Sequence, residues 1–256
     1  MVLALDKEKI AKCFRRSLHS YDDAATVQNR LAGRLMQLTQ GLPEHCFADV
    51  LEIGCGTGML TELLCSNRSI NQLYLNDLVS DFESLVKKKI AADSVTVISS
   101  CFGDIESISL PEKLSLVISG ASFQWLTDMP VFLTKLAECM CPGSYLAFSL
   151  FGPGTLLEFS TLSSFSLHYH TNDEIVSMLQ DDFILEMQNT WHDQLFFANV
   201  LEIMNHIRDT GVGGVSEYRW TRQNLDIFEK KYILEFGQDK GLPVSYSSSC
   251  FIARRR

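Results

Sequence analysis

The run Val50-Leu51-Glu52-Ile53 passes without a break into Gly54-Cys55-Gly56-Thr57-Gly58, and a helix-forming stretch starts at Met59. A strand that feeds a glycine turn and then a helix leaves few folds open. Glycine accepts positive φ at no steric cost and lets the backbone come close to a ligand where a Cβ would stand in the way. The spacing here is GxGxG, whereas a dinucleotide fingerprint needs GxGxxG and hence glycine at position 59, where this chain has Met59. A pyrophosphate therefore lacks its third glycine, and the neighbours of the turn must decide the ligand.

The rest of the chain alternates around this unit. Apolar, β-rich runs lie at 49–53, 72–76, 95–99, 114–119 and 145–151, with helical patterns at 59–66, 79–92 and 130–140 between them. Strands that are apolar throughout and separated by helices predict an α/β fold with a parallel sheet covered on both faces. Its ligand crevice lies at the carboxyl ends of the strands. An apolar stripe of Ala24, Val27, Leu31, Leu35 and Leu38 predicts a helix over 23–40, stopped by Gly41, Leu42 and Pro43. Beyond a turn at 152–155, further helices are expected at 172–179, 197–209 and 221–236, with strands at 184–191 and 244–253. Gly211, Gly213 and Gly214 mark a loop. The expected organisation is one domain over 1–256, with a helical cap at 1–44, a binding core at 45–151 and substrate-side helices with closing strands at 152–256.

Composition narrows the function. With 46% hydrophobic and 21% charged residues, the 256-residue chain buries a sizeable core. Its formal charge of −9 repels duplex nucleic acid and anionic membranes on average, and no basic stripe is read from the sequence. No apolar run approaches the ~18 residues of a membrane span. The short apolar start is broken by Asp6, Lys7, Glu8 and Lys9, unlike a signal peptide. Eight cysteines without a CxxC read as reduced thiols in a cytoplasmic protein, and His168-Tyr169-His170 reads as two imidazoles on a surface strand, with no metal site expected.

Asp77 stands 23 positions after Gly54, at the end of the second strand, where an acid accepts both hydroxyls of a ribose. Read locally, the same residue caps the next helix. Asp104 and Ile105 follow the third strand and suit an adenine edge, although Asp104 alone is an ordinary turn residue. Glu52 is a charge in an apolar strand and needs a partner, either a cationic ligand or a network holding the glycine turn. On these residues, with 116–126 and the turn Cys141-Pro142-Gly143-Ser144, the chain resembles the class I S-adenosylmethionine-dependent methyltransferases. That resemblance implies a Rossmann-like, mostly parallel seven-stranded sheet with extra helices covering the crevice. It implies S-adenosylmethionine held by Glu52, Gly54, Cys55, Gly56, Asp77, Leu78, Asp104, Ile105 and Ser119.

Further fragments narrow the resemblance. Phe14-Arg15-Arg16, Ser20-Tyr21-Asp22, Ser122-Phe123-Gln124-Trp125, Phe151-Gly152-Pro153-Gly154-Thr155-Leu156 and Gly241-Leu242-Pro243-Val244-Ser245-Tyr246 are similar to the malonyl-acyl-carrier-protein O-methyltransferases of biotin synthesis. The family often has Ser-Asn where this chain has Ser119-Gly120, so no side-chain role is carried to position 120. The resemblance implies methylation of the free carboxylate of a malonyl thioester on acyl carrier protein. A carboxylate with a pKa near ~4 is already ionised at neutral pH and needs no strong base. Orientation of oxygen, methyl and sulfur then supplies ~7–11 kcal/mol of the barrier lowering. Tyr21 is the expected catalytic positioning residue, against a purely structural role anchoring the first helix. Gln124 and Trp125 are expected at the substrate, and Arg16, Arg208 and Arg222, with Arg15 and the terminal Arg254 to Arg256, at the substrate or the carrier protein. Three other readings stand beside this one: methylation of a small free acid, a cofactor-binding subunit without turnover, and, against the glycine spacing, a nicotinamide oxidoreductase.

Overall fold

Strand β4 (Leu114–Gly120) holds Leu114, Leu116, Val117 and Ile118 out of solvent, so both of its faces are covered. It pairs in parallel with β1 (Cys46–Ile53), which pairs in parallel with β2 (Ser69–Asn76), and β2 with β3 (Val95–Ser100). On its other side β4 pairs in parallel with β5 (Met140–Phe151). With β6 (Phe183–Phe197) and β7 (Leu242–Arg255), the strands form one sheet in the order β3-β2-β1-β4-β5-β7-β6. The order reverses at β1 and β4, so the carboxyl ends of these two strands bound the crevice expected for such a sheet. This computed structural model describes residues 5–44, 46–90, 95–163, 167–212 and 221–256. Among them no helix is long and apolar enough to cross a membrane. All eight cysteines are free thiols.

The chain divides into two compact units. One comprises Thr26–Leu150, His170–Thr190 and Ser249–Arg256. It contains β1 to β5 up to Leu150, with helices α3 (Thr26–Thr39), α4 (Met59–Asn67), α5 (Glu83–Lys89), α6 (Met129–Cys139) and α8 (Asn172–Leu179). Its core runs through the stacked rings of Phe123, Phe148 and Phe251, with centroids 4.8 and 5.1 Å apart, into Leu133, Leu136 and Phe183. Two capping side chains start its helices: Asp128 accepts from Val131 N, and Thr171 exchanges bonds with Glu174 in a capping box.

The other unit comprises the residues up to Ala25, Phe151–Tyr169 and Trp191–Ser248. It contains α1 (Lys7–Ser17), α2 (Tyr21–Ala24), α7 (Leu157–Leu162), α9 (Val200–Asp209) and α10 (Arg222–Phe236). Ile203, Phe228, Tyr232, Val244 and Tyr246 are buried in it. Several of its buried polar groups are paired, as burial requires, while the hydroxyl of the buried Ser248 has no partner. Tyr232 donates to Pro243 O at 2.6 Å, Glu158 accepts from Ser245 N at 2.9 Å, and His206 Nε2 lies 2.6 Å from Tyr246 Oη.

Several expectations need correction. Within the expected helical cap, the charged segment before residue 20 folds as α1, because Ile10, Phe14 and Ser17 share one face and Asp6 caps its start. The first long helix begins at Thr26, since the chain breaks at Ala25 after α2. Residues 80–82 form a 3₁₀ turn before α5. Strand β5 starts at Met140, because the register jumps from Leu114↔Met140 to Leu116↔Tyr145 and the Pro142-Gly143 turn bulges out within the strand. Strand β6 runs on to Phe197 as the sheet's edge, so α9 starts only after its cap Asn199. His168 to His170 are not in a strand, and His170 Nδ1 lies 3.8 Å from Glu174. The terminal arginines are tied down: Arg254 to Glu186 at 2.6 Å, Arg255 to Ala137 O and Asp182 O, and Arg256 to Gln180 O. Gly213 and Gly214 of the expected loop lie outside the described residues.

Candidate functional site

At the end of β1 the backbone N–H groups of Gly54 and Cys55 both donate to Asn76 O at 2.9 Å, which fastens the glycine turn to the end of β2. Gly54, at φ +70°, must be glycine. A Cβ there would lie 1.9 Å from Ser122 Oγ, in the loop after β4. Gly56, at φ +51°, has the opposite surroundings, since an added Cβ would meet nothing within 4 Å. The turn thus opens a backbone cradle on one side and is wedged on the other. Gly58, at φ +89°, then starts α4.

Asp77 closes this cradle. Its Oδ2 accepts from Gly56 N at 2.9 Å and its Oδ1 from Val79 N at 2.8 Å. The residue is 9% exposed, and burial pushes its pKa up to about 6 against the opposing pull of these backbone bonds. Each carboxylate oxygen retains acceptor capacity for a ligand hydroxyl. The local reading of Asp77 as a cap is also satisfied in part, through Val79 N. Asp77 O accepts from Gly103 N at 2.9 Å, and Asn76 Nδ2 donates to Cys101 O and Gly103 O. The second and third loops are therefore locked together. Asp104 folds its own turn by accepting from Glu106 N, while Ile105 is buried and Leu78 half-buried.

Glu52 is fully buried, and neither carboxylate oxygen has a hydrogen-bond partner. Burial pushes its pKa up to about 8 against the opposing pull of the nearby Thr61 hydroxyl, which lies outside hydrogen-bonding geometry, and Asp77 adds to the rise. Burial also holds the Cys55 thiol protonated, helped by the charges of Asp77 and Glu52. Ser119 is placed less favourably than expected. Its hydroxyl donates to Ile53 O at 2.9 Å and joins β4 to β1, which leaves the side chain able to accept from a ligand but not to donate. After β4, Ala121 takes φ +51° without being glycine, an unusual conformation held by its N–H on Ser149 O. Gln124 Nε2 donates to Ala121 O at 2.6 Å, so its Oε1 is left buried and unpartnered. Trp125 is half-buried in the same turn.

The structure therefore brings Glu52, Gly54, Cys55, Gly56, Asp77, Leu78, Asp104, Ile105, Ser119, Gln124 and Trp125 into one unit. Tyr21, Arg16, Arg208 and Arg222 belong to the other. There the Tyr21 ring lies 6.3 Å from Phe14, Arg208 pairs with Asp209 at 2.9 Å, and Arg16 and Arg222 are exposed. Sequence reasoning missed Asn76 and Ser122, and it missed Glu106, which accepts from Thr127 N and Asp128 N at 2.9 Å each. It also missed Lys135, whose ammonium donates to three carbonyls of the loop after β3: those of Ile105, Glu106 and Ile108. An apolar helix such as α6 with a single lysine was the one available signal.

A family model described as a methyltransferase domain matches residues 51–148. A malonyl-acyl-carrier-protein O-methyltransferase of Prosthecochloris aestuarii is 33% identical over 251 residues, covering 96% of this chain and 94% of that protein. One of Bacteroides thetaiotaomicron is 28% identical, covering 98% and 99%. Among solved structures, a Bacillus halodurans protein assigned to the methyltransferases by similarity superposes with a TM-score of 0.62 at 14% identity, over 87% of this chain and 97% of that one. The N-methyltransferase NodS of Bradyrhizobium japonicum, in complex with S-adenosyl-L-homocysteine, does so with a TM-score of 0.57 at 15% identity, over 96% and 98%.

Proposed function

Because the chain belongs to the malonyl-acyl-carrier-protein O-methyltransferase family, it moves the methyl group of S-adenosylmethionine onto malonyl-acyl carrier protein, and we propose that the cradle at Gly54–Gly58 and Asp77 holds the cofactor while Tyr21 aligns the substrate carboxylate. The observation that carries the site is the Asp77 carboxylate, buried and bonded to Gly56 N while still able to accept. The residues fit the cofactor on three counts. A ribose supplies two hydroxyls to Asp77. The space beside Gly56 admits the methionyl backbone. The Glu52 carboxyl has no hydrogen-bond partner and is kept protonated near neutrality by burial, so a cation placed beside it would favour its ionisation.

S-adenosylmethionine supplies a methyl group on a positively charged sulfur, which a carboxylate oxygen takes in line. The protein has only to orient the two reactants and exclude water. In this reading Leu78, Asp104 and Ile105 hold the adenine, Cys55 contributes backbone, and Ser119 contributes its backbone or its hydroxyl oxygen as an acceptor. Gln124 and Trp125 line the substrate side, with Gln124 Oε1 as an acceptor awaiting an N–H. Arg16, Arg208 and Arg222 serve the carboxylate or the carrier protein. The ester formed is uncharged at its distal end and enters biotin synthesis in the cytoplasm.

Mass spectrometry tests the reaction directly. The protein is incubated with S-adenosylmethionine and malonyl-loaded acyl carrier protein, with acetyl-loaded carrier and free malonate as controls. A gain of one methyl on the malonyl carrier alone is expected. Methylation of free malonate without the carrier would replace this reading with that of a small-acid methyltransferase.

A further inference from the structure

Helix α1 concentrates positive charge in an acidic protein. Five of the chain's 22 Lys and Arg residues lie in its eleven positions (Lys7, Lys9, Lys12, Arg15 and Arg16), against one of its 31 acids, Glu8. At 3.6 residues per turn, Lys9, Lys12 and Arg16 fall within about 60° of one another around the helix. Ile10 and Ser17 are buried on another side, so these cations form a basic stripe that faces outward, with Lys12 and Arg16 exposed, although none is read from the sequence. Helix chemistry accounts for only part of it. Arg15 and Arg16 sit in the last turn, where the helix dipole favours cations. Lys9, in the first turn, is disfavoured by the same dipole.

The helix is also held firmly from behind. Phe14 packs against Gly211, where an added Cβ would lie 2.4 Å from the ring, and against the Tyr21 ring. The stripe is thus a fixed feature of its unit.

We propose that Lys9, Lys12 and Arg16 on α1 form the docking face for the acyl carrier protein, an acidic partner whose charge complements the stripe. This rests on the reaction given above and adds Lys9 and Lys12 to the residues that serve it. Rim charges of this kind act on encounter and on the apparent affinity for the partner, and leave the chemical step alone.

The test compares Lys9→Glu/Lys12→Glu with the parent on two substrates, malonyl-acyl carrier protein and malonyl-pantetheine, which carries the same thioester without the protein. The expected result is a rise of about tenfold in KM for the carrier-bound substrate, with kcat unchanged, as two reversed rim charges would produce. KM for malonyl-pantetheine and the dissociation constant of S-adenosylmethionine stay at parental values, which also reports an intact fold. The neutral pair Lys9→Gln/Lys12→Gln should fall between. A carrier KM within twofold of the parent in the Glu variant overturns the proposal, and so does an equal loss on malonyl-pantetheine. If the parent itself leaves malonyl-acyl carrier protein unmethylated, the reading of the reaction fails first and the docking face falls with it.

Discussion

Asp77 can hold a ribose only as an acceptor, and its pKa of about 6 places its loss of charge just below neutrality. The affinity for S-adenosylmethionine should therefore weaken as pH falls through about 6. Asp77→Asn should remove that step and raise the dissociation constant about 10- to 100-fold, the worth of hydrogen bonds to a charged acceptor. Titration calorimetry at several pH values reads both effects, and a parental constant in the variant would take Asp77 out of the pocket. Glu52 also bears on stability. Its folded pKa of about 8 lies above the ordinary 4.5, and that of Asp77 lies above 3.8, so both favour the fold most at low pH. That contribution is lost as pH rises, through about 6 for Asp77 and about 8 for Glu52. At about 1.4 kcal/mol per pKa unit, Glu52 is worth a few kcal/mol. Thermal melts of the cofactor-free protein should show a falling Tm from pH 6 to pH 8, and Glu52→Gln should flatten it. At this scale the sequence was readable where spacing alone implies chemistry, as for Asp77 after the glycine turn. It was silent on Asn76, Ser122 and Lys135, whose bonds reach partners 25 to 68 positions away and depend on the folded register.

At the scale of elements, the interior strands and helices were legible because their apolar periods are uninterrupted, and β4 and α8 came out within a residue of expectation. Failures cluster where charge or glycine masks the period. The edge strand β6 alternates with polar side chains, so only 184–191 of its Phe183–Phe197 span read as strand, and the charged start of the helical cap gave no bounds for α1. Two glycines test how these elements are held. Gly33, inside α3, has nothing within 4 Å of an added Cβ. Gly33→Ala should therefore raise stability by about 0.5–1 kcal/mol through helix propensity alone. Gly211, at φ +75°, carries the ring of Phe14. Gly211→Ala should cost about 1–3 kcal/mol, from strain and from pushing α1 off its seat. Denaturant titration distinguishes the two, and a stabilising Gly211→Ala would show that α1 does not need this backbone approach.

Over the whole molecule, the charge of −9 and the basic face of α1 act on an acidic carrier protein in opposite senses and over different distances. At about 0.01 M ionic strength the screening length is about 30 Å, long enough for the net negative charge to oppose approach. Near 0.1 M it shrinks to about 10 Å, so distant charges are silenced while ion pairs at the docked face persist. Still higher salt weakens those pairs as well. The ratio kcat/KM for malonyl-acyl carrier protein should therefore rise and then fall with added salt. Malonyl-pantetheine, too small to meet both fields at once, should show no such maximum. In Lys9→Glu/Lys12→Glu only the repulsion remains, so kcat/KM should climb steadily with salt and approach the parental curve at its high end. A parent whose rate falls from the lowest salt onward would mean that the local face outweighs the whole-molecule field at every distance. A parent insensitive to salt would mean that shape and the pantetheine arm, rather than charge, select the carrier.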